Sequence, residues 1–143
     1  MTILDATTTA STATTTAAGT PFALRLSWAQ GLFDRRDFSA AANALVELLA
    51  EAEHADAQTL HGTTELRVLL ARAYFGSAQL GRAEATLRQL VDEAPTDGYA
   101  HLLLGRTLQR QGRHGDARRH LSLAALFGDY ERPIAYGEQA STD

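Results

Sequence analysis

Apolar residues recur along the middle of the chain with the three-and-four spacing of helices, interrupted by short polar breaks. The clearest stretch is residues 70–95. Leu70, Ala71 and Tyr74 mark one face of a first helix, and Leu80, Ala83, Leu87, Leu90 and Val91 mark one face of a second. Gly76, Ser77 and Gly81 lie in the break between them, and Pro95 ends the second helix by disfavouring the helical conformation at Ala94. Upstream, Pro21 suits a first helical turn. Leu24, Leu26, Trp28, Leu32 and Phe33 follow so densely that this helix is expected to be contacted on two sides. Asp37 can cap the next helix, whose face is Phe38, Ala41, Leu45, Leu48 and Leu49. Thr63 is the expected N-cap of a helix over residues 65–75, with Glu65 favourable in its first turn. Thr96 or Asp97 caps a helix over residues 99–111, which Gly112 breaks. A last helix over residues 114–127 is expected to end with Gly128 in the left-handed conformation.

The pattern repeats. A shift of 34 residues lays Leu70-Ala71 on Leu104-Gly105, Tyr74 on Leu108, Ala78 on Gly112, Ala83 on Ala117 and Leu87 on Leu121. A shift of 42 residues brings in a third copy: Trp28-Ala29, Leu32, Phe38, Ala41, Leu45 and Leu48-Leu49. The extra eight residues fall in the irregular stretch 56–63. The reading is all-α: six helices in three antiparallel hairpins over residues 22–55, 64–97 and 98–130. Residues 1–20 are almost entirely Thr and Ala, cannot bury enough surface to offset ordering, and are expected to form a removable disordered tail. Residues 131–143, with Pro133 and Gly137, are a tail or a weak cap.

This helix hairpin of 34 residues resembles the tetratricopeptide repeat family. The resemblance rests on the large-then-small pairs Leu70-Ala71, Leu104-Gly105 and Trp28-Ala29, and on the bulky residues Tyr74, Leu108 and Leu32. It rests also on Ala41, Ala83 and Ala117 in the second helices, on the small turn residues Ala78 and Gly112, and on Pro95. Small side chains belong where paired helices approach to about 8–10 Å. The chain departs from the family pattern at Arg36, in a turn that asks for a small residue. It departs also at Arg25, Arg67 and His101, which stand where the family has Trp early in the first helix.

Composition narrows the chemistry. There is no Cys, hence no disulfide or thiolate site. No apolar run approaches a membrane span, and the N-terminus lacks a secretory pattern, so a cytoplasmic protein is the expectation. No two of His54, His61, His101, His114 and His120 have the i, i+4 spacing that places two metal ligands on one helix face. Neither a nucleophile elbow nor a phosphate loop is present. The expectation is therefore no enzyme, no metal and no cofactor. All thirteen basic residues are Arg, and Arg106, Arg110, Arg113, Arg118 and Arg119 cluster late in a chain of net charge −4. Nucleic-acid binding is disfavoured because Tyr99 is the only aromatic near that cluster and the net charge is negative.

The resemblance implies a superhelix with a concave face lined by the first helix of each repeat. Carried over by position, that face comprises Leu26, Gln30 and Phe33, with Ala23 and Asp34, from the first repeat. The second repeat gives Glu65, Val68, Arg72 and Phe75, with Gly76, and the third gives Tyr99, Leu102, Arg106, Gln109 and Arg110. Apolar residues beside Arg suit a protein or peptide partner with acidic and apolar groups, which makes the chain an interaction adaptor. The family's Lys and Asn clamp for a peptide C-terminus is absent, because the chain has no Lys and Arg72 and Arg106 replace the Asn. The alternative function is a self-assembling structural module, since an apolar terminal face would favour homo-oligomers.

Overall fold

The computed structural model describes residues 19–55 and 60–128, and of residues 60 and 61 the backbone alone. The Thr-rich tract up to residue 18, part of the irregular stretch and the C-terminal tail or cap lie outside the described residues. Among those described there are six helices and no strands. They are α1 (Phe22–Asp34), α2 (Phe38–Ala55), α3 (Leu60–Gly76), α4 (Leu80–Glu93), α5 (Gly98–Arg110) and α6 (His114–Phe127). Two compact units divide the chain between Gln79 and Leu80. In the first, α1 packs on α2 and α2 on α3. In the second, α4 packs on α5 and α5 on α6.

The three short turns within the repeats are built alike. In the first, the Asp37 N–H donates to the Leu32 carbonyl and the Arg36 N–H to the Phe33 carbonyl, both at 2.9 Å. Gln79 and Ala78 repeat this pair on Tyr74 and Phe75, and Arg113 and Gly112 repeat it on Leu108 and Gln109. This is the double bond of a helix terminus closed by one left-handed residue. That residue is Arg36 (φ 64°), Ala78 (φ 60°) and Gly112 (φ 79°). The preference for a small turn residue therefore has a backbone cause, and Arg36 and Ala78 occupy a conformation that costs a non-glycine residue about 1–2 kcal/mol.

Short side chains are buried at the matching positions of the repeats. Ala29 and Ala71 are fully buried, as are Ala41 and Ala83 in the second helices. Gly105 is buried too, and a Cβ there would lie 2.6 Å from Leu121 Cδ2. Gly76 acts in the same way in the first unit. It is the last residue of α3, not part of a polar break, and the Phe38 ring lies where its Cβ would stand.

Asp37 and Asp97 cap as expected, accepting from the backbone N–H groups of Ala40 (3.3 Å) and Ala100 (3.1 Å). Three expectations are corrected. Thr63 is not an N-cap: α3 starts at Leu60, and Thr63 is buried one turn inside it. Gly128 is not left-handed but extended (φ −82°, ψ 98°), a conformation open to any residue. Nor are all the dense apolar residues of α1 covered. It packs on α2, and Leu24 and Trp28 are exposed, with the Arg35 guanidinium 5.4 Å from the centre of the Trp28 ring.

Candidate interaction site

Register along α1, α3 and α5 decides which side chains are available to a partner. On α3 the core takes Leu66, Arg67, Leu70, Ala71, Ala73 and Tyr74. Glu65 and Arg72 are left exposed, and Val68 and Phe75 half-buried. On α5 the core takes Ala100, His101, Leu104, Gly105, Thr107 and Leu108. Arg106 and Arg110 are exposed there, and Tyr99, Leu102 and Gln109 half-buried. On α1, Gln30 is exposed while Leu26 and Phe33 are half-buried. None of the twelve residues expected to face a partner is taken into the core.

Within the first unit two of them meet. The Arg72 guanidinium stands 4.8 Å from the centre of the Phe33 ring, joining the exposed faces of α3 and α1. Phe33 is itself held edge-on by Phe38, with ring centres 5.0 Å apart. A cation over an aromatic face retains its charge and N–H donors for a carboxylate. In the second unit, Arg106 donates to the Gln109 side-chain oxygen at 3.2 Å, one turn along α5. Leu102 and Tyr99 precede them at helical spacing on the same face.

The positions where the family has Trp are polar here, and the structure shows how. Arg67 is buried and reaches Glu53 at the end of α2, 2.8 Å away. In the next repeat, His101 Nε2–H donates to the Pro95 carbonyl, just beyond α4, at 2.8 Å. In both, the residue ties its helix to the end of the helix before it. Arg25 on α1 instead pairs with Glu51 of the following helix, α2, at 2.6 Å.

Sequence reasoning missed the other contact of His101. Its Nδ1 lies 3.2 Å from Nδ1 of His120, with the two rings 21° from parallel. Because His101 gives its Nε2 proton to Pro95, a neutral His101 accepts from His120, and only one proton fits between the facing nitrogens. Burial, the neighbouring His101, Arg88 and Arg119 hold the His120 pKa below its ordinary value, against a weaker pull upward from Asp116. The two histidines are 19 residues apart, with no motif to connect them.

Glu84 on α4 anchors a second polar group. It accepts from Arg88 at 2.8 Å and from Arg113 at 2.9 Å, and Arg113 also donates to Asp116 at 3.0 Å. Burial alone would raise its carboxyl; hydrogen bonds from Arg88, Arg113 and Gln111 outweigh this and hold it below the usual value. These bonds tie α4 to the start of α6. Among the described residues no cluster of three His, Asp or Glu is arranged to hold a metal ion, and no helix is long and apolar enough to cross a membrane.

The tetratricopeptide repeat model matches residues 32–106, more than half of the 143. The chain belongs to the tetratricopeptide repeat family. The match begins inside α1 and ends inside α5, so it spans the middle repeat with most of the first and the start of the third. Solved structures with the same repeat fold include one of MamA (MSR-1, form C2), with a TM-score of 0.64 at 17% identity over 79% of this chain and 60% of that one. A mutant MamA gives 0.62 at 17% identity, over 78% and 57%. The tetratricopeptide chain described here thus spans about three fifths of MamA, and the likeness is one of fold. Among curated proteins no sequence matches.

Proposed function

We propose that the chain is a scaffold that binds an extended or helical segment of a partner protein, one with carboxylates beside apolar side chains. Tetratricopeptide repeats are protein-interaction modules in general, and family membership carries that coarse function to this chain. The finer reading rests on one observation: Arg72 held over Phe33 on an unburied face formed by α1 and α3. Val68 supplies apolar surface on α3 one turn before Arg72, and Leu26 does the same on α1. A carboxylate meeting Arg72 there would be partly desolvated, which strengthens a charge-assisted bond. Arg106 with Leu102 and Tyr99 is the corresponding set on α5.

The test is affinity capture from the source cell followed by mass spectrometry, with charge-reversed variants beside the wild type. Arg72→Glu with Arg106→Glu should abolish capture while circular dichroism stays unchanged. Reversal of Arg118 and Arg119, both exposed on α6, should do much less. Captured complexes should also weaken as salt rises. Equal losses from the two pairs of reversals would defeat the proposal and make the Arg residues a general electrostatic patch.

A further inference from the structure

The repeats allow the helices to be compared position by position, and α1 differs from α3 and α5 in one respect. Leu66 and Leu70 on α3 are 6% and 4% exposed, whereas their counterparts Leu24 and Trp28 on α1 are 62% and 61% exposed. The α5 counterparts, Ala100 and Leu104, are fully buried. Among the described residues, α3 and α5 each lie against a preceding second helix, α2 for α3 and α4 for α5, and no helix precedes α1. The apolar side of α1 is therefore shaped to receive a second helix of this kind.

The opposite half of such a contact is found on α6. In the first unit, α2 meets α3 at Phe38, whose ring lies against Gly76. The same stripe continues along α2 through Ala42, Leu45 and Leu49. The matching stripe on α6 is His114, Arg118, Leu121 and Ala125. It borders an open hollow of about 480 Å³, shared with Gln109 and Ser122. This hollow lies where α3 lies against α2. The register also pairs charges. His114 stands at the position of Phe38 and Asp34 at that of Gly76, so a helix with the sequence of α1 would bring a carboxylate to His114 and Arg118.

We infer that the exposed face of α1 docks in the α6 hollow of a second copy of this chain, reproducing between molecules the contact of α3 with α2. Trp28 and Leu24 supply the apolar surface, Leu121 and Ala125 receive it, and Asp34 meets the Arg118 guanidinium and the His114 ring on α6. The contact is heterologous: each pair of molecules keeps one free α1 face and one free hollow, so the assembly grows head to tail.

Sedimentation velocity of the full chain over a wide concentration range tests this. The average mass should rise with concentration, through dimers to longer species. Trp28→Ser and Ala125→Arg alter exposed residues on opposite halves of the contact, and each should weaken association by about tenfold or more. An equimolar mixture of these two variants should form heterodimers that grow no further, because each variant retains the half that the other lacks. Three results overturn the inference: a monomer at every concentration, loss of association in Trp28→Ser but not in Ala125→Arg, or a mixture that stays monomeric. The second of these would indicate symmetric pairing through α1.

Discussion

Gly105→Ala puts a single methyl group at a close contact between α5 and α6, and its effect can be worked from the structure. The new Cβ would lie 2.6 Å from Leu121 Cδ2, 2.7 Å from Leu121 Cγ and 3.3 Å from the Ala117 carbonyl oxygen. A terminal methyl can rotate away, but Cγ is a branch point and the carbonyl is backbone, so relief requires α6 to shift. Overpacking of this kind costs about 1–3 kcal/mol. Against it stands the better helix propensity of Ala over Gly, about 1 kcal/mol in a helix interior. Because the clash includes the branch carbon, the upper half of the overpacking range applies, leaving a net loss of about 1–2 kcal/mol. At about 4–8 °C per kcal/mol for a small domain, this is readily measured in a thermal melt. The decisive assay is a double-mutant cycle with Leu121→Ala in urea. With the leucine shortened, Gly105→Ala should be neutral or stabilising, giving a coupling of about 2 kcal/mol. The reasoning fails if Gly105→Ala alone raises stability, or if the two substitutions add.

Other expectations follow from the same structure. Arg36→Gly and Ala78→Gly should each stabilise by about 0.5–1 kcal/mol, the relief of left-handed strain less the entropy of glycine, and Gly112→Ala should destabilise to a similar extent; urea midpoints will show the signs. The depressed pKa of His120 means that the unfolded chain binds more protons as pH falls below 6.5, so stability should decline there through the folded value, and His120→Gln should flatten that part of a pH–stability curve. Glu84 adds a second decline below 4.5, where its lowered carboxyl is finally protonated and its bonds to Arg88 and Arg113 are lost; Glu84→Gln should remove that step from an acid titration followed by circular dichroism. Gly76→Ala should destabilise the first unit by pressing on the Phe38 ring, and Phe38→Leu should relieve it, as unfolding of the four variants would reveal.

The six helices were legible because each carries its own periodicity and because the repeat supplies a second reading of every position. Ala29, Ala71 and Gly105 could be named as contact points before any coordinate, since only a short side chain fits there and three copies agree. Legibility failed where the cause is tertiary. Thr63 has the chemistry of a cap, but a further helical turn upstream outweighs it. Trp28 has the composition of a core residue, yet whether it is buried depends on a neighbouring helix, and none covers it among the described residues. The twelve first-helix residues carried over from the family pattern all lie outside the core. Their contacts, such as Arg72 over Phe33, depend on how α1 and α3 are brought together around α2. The His101–His120 pair was illegible, because nothing local connects residues on two different helices.

The lighter packing of α1 also sets how the first unit opens. To detach α1 from the first unit, its packing on α2 and the Arg72 contact with Phe33 must be broken, whereas freeing α2 breaks its packing along both α1 and α3. Amide protons of α1 should therefore exchange with solvent sooner than those of α2. Any molecule that settles over Leu24 and Trp28 would slow that exchange without touching α2, so the end helix reports its own occupancy through the lifetime of its hydrogen bonds.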